Sequence, residues 1–383
     1  MPNRRLAIFS ALYCPHMGGV EEFTKNMAKA LASKGCEITV VTNDTNNVGA
    51  GLSREDGLDV MRLPCLTLLG GRFPVPLFSR KWIALYRTLR GSHFDGVIVN
   101  TRFYPHSVMG MRLARLNGIR PVVIEHGSSY LSLGSPVLNA VERVYERAIT
   151  SLGKAFKPSY YGVSKRSVSW LREFSISANG VIPNSIDSRE YRSLASDRQW
   201  RRELDIDDSV FLLVYAGRLI EEKGLGVLLD AMKLLCPDNG TYQLVIAGSG
   251  PLEGLAKDAE SSYCRFAGRL SREDLSSLLK EADCICLPTR YPEGLPTILL
   301  EGAAQHAAIV VSDCAGAREV VPSRAYGTVL VDVSASSVAV AIKELREDEA
   351  RLQQCKEAAA KRVEAEFSWN ETADKLLAAV SSN

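Results

Sequence analysis

The chain has 383 residues, more than one hydrophobic core usually serves, so two domains are expected. With 46% hydrophobic and 23% charged residues, its composition is that of a globular protein and excludes a disordered or low-complexity chain. The net charge of +2 is unevenly distributed, because residues 1–185 carry 23 Lys and Arg against 12 Asp and Glu. A basic half can mark a surface that meets anionic lipid or nucleic acid, but no nucleic-acid-binding motif is present and no nucleic acid partner is expected. No apolar run reaches the roughly 18 residues that a membrane-spanning helix needs.

In the first half, short apolar runs typical of buried strands alternate with helical periodicity. The expected strands are Leu6–Leu12, Glu37–Thr42, Gly96–Asn100 and Val122–Glu125, and the helices between them include Val20–Lys34 and Ser107–Leu116. The first run leads directly into a glycine-rich loop, so we interpret it as a buried strand and not as a signal peptide.

Residues 64–90 are unusual because they combine aromatic and aliphatic residues with five basic residues and no acid. This composition suits a loop and helix that lie on an anionic membrane, which would make the protein peripheral at the inner face of the cell membrane. The alternative is a helix packed on the core with a basic face toward solvent. Both interpretations stay open at this point.

The second half repeats the alternation of strands and helices. The expected strands are Val210–Ala216, Gln243–Ala247, Cys284–Leu287 and Ile309–Val311, and the expected helices are Gly224–Leu235, Arg272–Glu281 and Leu295–Ala304. This pattern predicts an α/β protein with two Rossmann-like domains, each built on a parallel sheet, that face each other across a cleft. The N-terminal domain is expected over 1–185 and the C-terminal domain over 186–367. The segment 368–383 is expected to form a helix that packs back across the boundary.

The nine cysteines are scattered through apolar runs, and no two of them have Cys-x-x-Cys spacing. We interpret them as buried, reduced thiols, which are typical of a reducing compartment. A cytoplasmic location is therefore expected, and no metal site is expected.

Four motifs could carry chemistry. Gly18-Gly19 opens a helix after the first strand, where backbone N–H groups could approach an anion, although a plain tight turn is an equal alternative. The loop Gly217–Gly224 follows the strand Val210–Ala216 and contains Arg218 and Lys223, which could neutralise a diphosphate. The alternative for this loop is a solvated charged turn.

The third motif is the turn at Gly248, where small residues would let a nucleotide lie against the backbone. The fourth is the stretch Glu293–Glu301, in which two glutamates are separated by seven residues. Glu293 precedes a helix whose first N–H groups are free, and Glu301 lies inside that helix. One carboxylate could therefore hold hydroxyls at the mouth of the cleft while the other reaches a deeper hydroxyl-rich group.

Taken in order, these motifs resemble family 4 of the retaining glycosyltransferases, which have the GT-B fold. The resemblance is carried by GGVEEF, GRLIEEKG, IAGSGP, FAGRL and the two spaced glutamates, and it extends over essentially the whole chain. The departures are Asn184-Ser185, where the family usually has Asn-Gly, and Gln305–Ala308, where Gly and Pro are common. Both alter local turns and leave the phosphate and hydroxyl contacts intact.

The resemblance implies a role for each candidate residue. Arg218 and Lys223 would neutralise the diphosphate and the charge of the leaving group. Glu293 would hold hydroxyls of the donor sugar, and Glu301 would bind the ribose. His126 matches the histidine that meets the donor sugar near the reacting carbon. The donor-binding positions implied in this way are Gly18, Gly19, Gly217, Gly248, Arg269, Leu270, Gly294, Leu295, Pro296, Thr297 and Glu301.

The implied reaction is transfer of a hexosyl group from a nucleoside-diphosphate sugar, a UDP-sugar or a GDP-sugar, with retained anomeric configuration. The resemblance implies no metal and no cofactor beyond this co-substrate, and a front-face route without a protein nucleophile. The expected acceptor is a saccharide or a lipid-linked saccharide, in the assembly of cell-surface polysaccharide or glycolipid. The alternatives are a sugar-nucleotide epimerase, a phosphorylase on the same fold, or a non-catalytic sugar-nucleotide-binding protein.

Overall fold

The computed structural model describes residues 4–15, 18–68, 71, 73–130, 135–236, 240–291, 294–313 and 316–382. The chain forms two compact units. The first unit extends to Asn184 and also contains the segment that begins at Trp369, and the second unit is Ser185–Ser368. The chain therefore passes from one unit to the other twice, after Asn184 and after Ser368. The two ends of the second unit are joined, because the Ile186 amide donates a hydrogen bond of 2.8 Å to the Phe367 carbonyl.

The first unit contains a mostly parallel sheet with helices on both faces. Its elements are β1 (Arg5–Phe9), α1 (Gly19–Ser33), β2 (Glu37–Asn43), β3 (Gly51–Glu55), β4 (Leu58–Leu63), β5 (Cys65–Leu68), β6 (Phe73–Pro76), α2 (Arg80–Gly91), β7 (Gly96–Asn100), α3 (Pro105–Leu116), β8 (Val122–Glu125), α4 (Pro136–Lys154), β9 (Ser159–Gly162), α5 (Lys165–Leu171) and β10 (Gly180–Val181). The strand order is β10-β9-β8-β7-β1-β2-β4-β3, with only β3 antiparallel to its neighbour, and β5 and β6 form a separate antiparallel hairpin.

Strand β1 shows why this sheet is covered on both faces. Its residues are apolar on both sides, as expected for a central strand of a parallel sheet. Leu6 and Ile8 point to one face, where they join the α1 residues Phe23, Met27 and Leu31 in one core cluster. Ala7 and Phe9 point to the other face and join a second cluster that includes residues of α2 and α3, because side chains alternate along a strand.

The second unit is a parallel sheet with helices on both faces. Its elements are α6 (Ser188–Ser193), α7 (Trp200–Glu203), β11 (Phe211–Ala216), α8 (Leu225–Leu235), β12 (Tyr242–Ala247), α9 (Glu253–Asp258), β13 (Cys264–Gly268), α10 (Arg272–Glu281), β14 (Cys284–Leu287), α11 (Thr297–Ala304), β15 (Ala308–Ser312), α12 (Ala317–Val320), β16 (Thr328–Leu330), α13 (Ala335–Glu347) and α14 (Glu349–Glu366). The strand order β13-β12-β11-β14-β15-β16 is that of a doubly wound sheet. All strands are parallel, and the switch point, where successive strands begin to be added on the other side of β11, lies between β11 and β14.

The last helix, α15 (Trp369–Ser381), belongs to the first unit. It packs on α1, and the rings of Trp369 and Phe23 lie 5.6 Å apart. Leu376 is fully buried in the same cluster as the α1 side chains. The first unit is therefore assembled from two segments that are distant in sequence.

The expected α/β architecture, with parallel sheets in two domains, is confirmed. The helix expected from Leu295 begins at Thr297, because Pro296 is extended and occupies the N-cap position. The first strand ends at Phe9, earlier than expected, and Ser10 closes the following turn by donating to the Leu12 carbonyl. Across the residues given above, no helix combines the length and apolar character that crossing a bilayer requires.

The cysteines that the structure describes are all free thiols. Four of these eight are buried and four are half-buried, so the expected burial holds for half of them, and Cys314 lies outside the described residues. Burial raises the pKa of the Cys264 thiol to about 12 and that of Cys65 to about 11. At neutral pH these thiols are therefore protonated and poorly reactive.

Candidate functional site

In the second unit, two glycine turns cross at the carboxyl ends of β11 and β12. The Gly217 amide donates to the Ala247 carbonyl over 3.1 Å, and the Leu219 amide donates to the Ser249 carbonyl over 2.9 Å. A Cβ atom on Gly248 would lie 1.9 Å from the Gly217 carbonyl oxygen, and the φ of +148° at Gly248 also favours glycine. The two backbones therefore touch at the carboxyl ends of β11 and β12, and β11 borders the switch point of the sheet.

The cations Arg218 and Lys223 converge on the ring of Tyr291. The guanidinium carbon of Arg218 and the ammonium nitrogen of Lys223 each lie 5.3 Å from the centre of that ring. Arg218 is exposed, whereas Lys223 is largely buried, with 8% of the residue accessible. The structure thus brings together the two basic residues that the motif predicts to act together.

A hydrogen-bonded clip holds the loop after β14 against the loop after β11. The Arg290 amide donates to the Glu222 carbonyl over 2.7 Å, and the Thr289 hydroxyl donates to the same carbonyl over 3.2 Å. Gly224 has a φ of +78°, and a Cβ atom there would lie 2.0 Å from the Pro288 carbonyl oxygen. This clip fixes Tyr291, and therefore the ring that Arg218 and Lys223 approach.

The fourth motif is only partly described. Glu293 lies outside the described residues. Gly294, Leu295 and Pro296 are buried and lead into α11, which begins at Thr297. Glu301 is half-buried on α11 and lies near Tyr191. Burial is the main cause of the raised pKa of the Tyr191 phenol, and the charge of Glu301 raises it further.

Arg269 and Leu270 follow β13, the edge strand next to β12. The Gly268 carbonyl accepts a hydrogen bond of 2.7 Å from the Gly248 amide, so this loop is joined to the crossed glycine turns. Arg269 is exposed, and Leu270 is partly buried against the core of the unit. The loops after β11, β12, β13 and β14 therefore share one end of the sheet, as parallel strands require.

In the first unit, Gly18 and Gly19 open α1. Gly18 is the N-cap and is extended, with a φ of −151°, and its carbonyl accepts from the Glu22 amide over 3.0 Å. A Cβ atom on Gly18 would lie 2.6 Å from a carboxylate oxygen of Glu21, whereas Gly19 faces open space. A side chain at Gly18 would thus displace Glu21, which is itself buried.

His126 is held by a chain of hydrogen bonds that joins three neighbouring strand ends. Its Nε2 lies 3.1 Å from Asn100 Oδ1, and Asn100 donates from Nδ2 to Thr24 Oγ1 over 2.7 Å. Thr24 Oγ1 in turn lies 3.2 Å from the hydroxyl oxygen of Ser10. Since an amide oxygen only accepts, Nε2 of His126 carries the proton and Nδ1 is left as an acceptor.

Burial lowers the pKa of His126 to about 3, so its imidazole is neutral at physiological pH. The ring also packs edge-on against Phe23, with ring centres 4.7 Å apart. Phe23 contacts α15 through Trp369, so the C-terminal helix supports the same cluster.

A buried ion cluster lies behind the His126 loop. Arg102, whose side chain is 1% exposed, forms an ion pair with Glu125 and donates a hydrogen bond to Glu146, and its guanidinium carbon lies 3.8 Å from the centre of the Phe174 ring. The second oxygen of Glu125 accepts from the Gly127 amide over 2.8 Å, so Arg102 and Glu125 hold the turn that follows His126. Burial raises the pKa of Glu146 to about 8, against the opposing effect of Arg102.

Tyr291, Asn100 and Arg102 were not predicted from the sequence as site residues. Asn100 carried a signal, because it is a polar residue that ends a fully apolar strand. Arg102 and Tyr291 carried none, since their importance depends on contacts with residues that are distant in sequence.

Two family models match the chain in succession. The model described as "Glycosyltransferase Family 4" matches residues 17–190, and the model described as "Glycosyl transferases group 1" matches residues 196–362. Together they cover nearly all of the two units.

Similar proteins match along the whole chain. A glycosyltransferase of Methanocaldococcus jannaschii is 25% identical, with 97% of each chain covered. The GDP-mannose-dependent monoacylated alpha-(1-6)-phosphatidylinositol monomannoside mannosyltransferase of Corynebacterium glutamicum is 24% identical, over 98% of this chain and 97% of the relative. The structure of Anabaena HepE in complex with UDP-glucose superimposes with a TM-score of 0.74 at 15% identity, and each chain is fully covered.

The two parallel sheets and these matches define the class of the protein, which is a glycosyltransferase with the GT-B fold. Within that class, the chain belongs to glycosyltransferase family 4.

Proposed function

We propose that the protein transfers a hexosyl group from a UDP-sugar or a GDP-sugar to a saccharide or lipid-linked saccharide, with retention of the anomeric configuration. The observation that carries this proposal is the convergence of Arg218 and Lys223 on Tyr291, beside the crossed backbones of Gly217 and Gly248. Two cations beside glycine turns suit a diphosphate, and the half-buried Glu301 suits a ribose. These contacts all lie within the second unit, which we propose binds the donor.

The chemical step requires charge stabilisation more than a protein nucleophile. As the glycosyl bond breaks, negative charge grows on the departing diphosphate, where Arg218 and Lys223 would stabilise it. The leaving phosphate oxygen would accept the proton of the incoming hydroxyl on the same face of the sugar. Neutral His126, with Nδ1 free to accept, would hold a sugar hydroxyl and would not act as a general acid. Glu293 and the amides of Gly294 and Leu295 would hold other hydroxyls of the donor sugar.

The acceptor is proposed to lie at a membrane surface, with the protein on the cytoplasmic side. The Corynebacterium relative acts on a phosphatidylinositol mannoside, by its name, and the first half of this chain is basic. Within residues 64–90, Trp82, Tyr86 and Leu89 of α2 pack on the core, as the core-packed alternative requires. Phe78 and Ile83 nevertheless remain exposed beside basic residues, which supports membrane contact.

Donor binding and transfer are tested separately. Each of the UDP-, GDP- and ADP-sugars is added to the full chain, and the matching donor should raise the unfolding temperature, because a ligand that binds only the folded state stabilises it. With that donor, nucleoside diphosphate should be released only when an acceptor saccharide is added. Release of isomerised nucleotide sugar without acceptor would indicate an epimerase, and stabilisation without any turnover would indicate a binding protein.

Failure to bind vesicles that contain anionic lipid at moderate salt would remove the membrane part of the proposal.

A further inference from the structure

Helix α4 of the first unit has apolar side chains on its exposed face and polar side chains on its buried face. Val137, Val141 and Val144 form a stripe with 4-3 spacing, and they are 71%, 62% and 70% exposed. The inner face, by contrast, carries Glu146 and Thr150, which are buried. A surface helix of a globular protein normally turns its apolar stripe to the core, so the outward stripe indicates a surface that is covered when the protein works.

The inward orientation of the polar face is fixed by specific contacts. Glu146 accepts a buried hydrogen bond from the Arg102 guanidinium. A Cβ atom on Gly153 would lie 2.8 Å from the methyl carbon of Met111, so α4 lies close against α3 at this point. Rotation of α4 to bury its valines would expose Glu146 and break this hydrogen bond, so the fold favours the outward stripe.

The stripe continues into a larger apolar surface. Phe73 of the β5–β6 hairpin packs edge-on against Tyr145 of α4, with ring centres 5.4 Å apart. The same hairpin exposes Leu66 and Leu68, each more than half accessible. Tyr86 of α2 donates to a carbonyl of α3, and α3 in turn packs against β6 of the hairpin and against α4. Helix α2, the hairpin and α4 are therefore all packed around α3.

The charges of these elements complement an anionic surface. In the described parts of residues 65–91 and 135–154, the only acids are Glu142, which is half-buried, and Glu146, which is buried. The exposed cations of the same segments are Arg80, Lys81, Arg87, Arg90, Arg143 and Arg147, of which Arg147 is paired with the exposed Glu173. A second copy of the chain, placed on the same stripe, would bring Arg143 of the two molecules close together, which like-charge repulsion opposes.

We propose that α4 lies in the headgroup layer of an anionic membrane, with Val137, Val141 and Val144 directed into the lipid. The proposal deepens the proposed function, on which it rests, by assigning apolar insertion to α4 as distinct from the basic contact of α2. Apolar burial is insensitive to salt, whereas contact through exposed cations weakens as salt screens it. The two elements can therefore be separated by experiment.

The test uses flotation of the full chain with vesicles of phosphatidylcholine, with or without phosphatidylglycerol. The variant V137Q/V141Q/V144Q removes the apolar stripe without adding charge, and glutamine preserves helix propensity. We expect it to bind anionic vesicles at least about tenfold more weakly than wild type, at low and at moderate salt. The matched control is V340Q, which changes an exposed valine on α13 of the second unit and should bind as wild type does. The variant R80Q/K81Q/R87Q should instead lose binding mainly at low salt.

Equal vesicle binding by wild type and V137Q/V141Q/V144Q would overturn the proposal. So would a wild-type protein that is dimeric without vesicles and becomes monomeric in this variant, because the stripe would then be an interface between copies. Stabilisation of the variant by the matching nucleotide sugar is measured in parallel. If that stabilisation is retained while vesicle binding is lost, α4 has the proposed role. If no nucleotide sugar stabilises even the wild type, the donor assignment fails independently of the vesicle result.

Discussion

At the scale of single residues, Lys223 offers the sharpest test of the donor site. We expect Lys223→Ala to lower turnover about 10²–10³-fold, because it removes a preorganised charge from the departing diphosphate. The effect on its unfolding temperature should be much smaller, because the substitution leaves the hydrogen-bonded clip between the two loops in place. Acceptor-dependent release of nucleoside diphosphate measures the first effect, and thermal unfolding measures the second. Lys233→Ala is the control, because Lys233 lies on α8 in an exposed ion pair with Asp230. Near-normal turnover of the Lys223 variant would refute the role.

The buried carboxyl of Glu146 predicts a dependence of stability on pH. Its pKa of about 8 in the folded protein exceeds the value of about 4.3 in an unfolded chain. The proton bound in the folded state therefore stabilises the protein fully below about pH 4, and this stabilisation is lost as the pH rises toward 8. Wild type should lose free energy of unfolding relative to Glu146→Gln across that window, by more than about 1 kcal/mol. Denaturant unfolding at about pH 5, 7 and 9 measures this difference, and a difference that is constant with pH would contradict it.

At the scale of elements, the crossed glycine turns make Gly248 intolerant of a side chain. Gly248→Ala should weaken stabilisation by the nucleotide sugar and lower the free energy of unfolding by about 1–3 kcal/mol, because its Cβ would overlap the Gly217 carbonyl. Gly254→Ala on α9 is the control, since its Cβ would meet no atom within 4 Å. That variant should retain stability or gain up to about 1 kcal/mol from helix propensity. Denaturant unfolding and ligand-induced thermal shifts compare the two variants, and equal behaviour would show that the crossing is not constrained.

Elements with a clear burial pattern were predictable from sequence, and elements defined by long-range contacts were not. The strands Gly96–Asn100, Val122–Glu125 and Cys284–Leu287 have the predicted bounds, because continuous apolar runs end where the chain leaves the sheet. The outward direction of the apolar stripe on α4 was not predictable, since periodicity does not reveal whether such a stripe faces the core or the outside. At the candidate site, Arg218 and Lys223 were selected from their loop, but their meeting at Tyr291 depends on the clip between two loops 67 residues apart.

At the scale of the whole molecule, the two-segment composition of the first unit predicts the effect of a truncation. A chain that ends at Ser368 lacks α15, whose buried residues include Leu376 and Val380. Each such side chain contributes about 1.5–3 kcal/mol by burial, so the first unit should unfold or aggregate while the second unit keeps its thermal transition. A chain that lacks only residues 382 and 383 is the control and should behave as wild type. Scanning calorimetry distinguishes the two units, and an unchanged first transition in the chain ending at Ser368 would refute this dependence.

The late position of α15 also constrains the order of events during synthesis on the ribosome. The second unit is continuous from Ser185 to Ser368 and can close as soon as it has emerged from the exit tunnel. The first unit, although translated earlier, keeps the α1 surface around Phe23 uncovered until Trp369 and the residues after it have been made. The half of the enzyme that carries His126 is therefore finished last, and a nascent chain that stalls before α15 would present an apolar surface to chaperones.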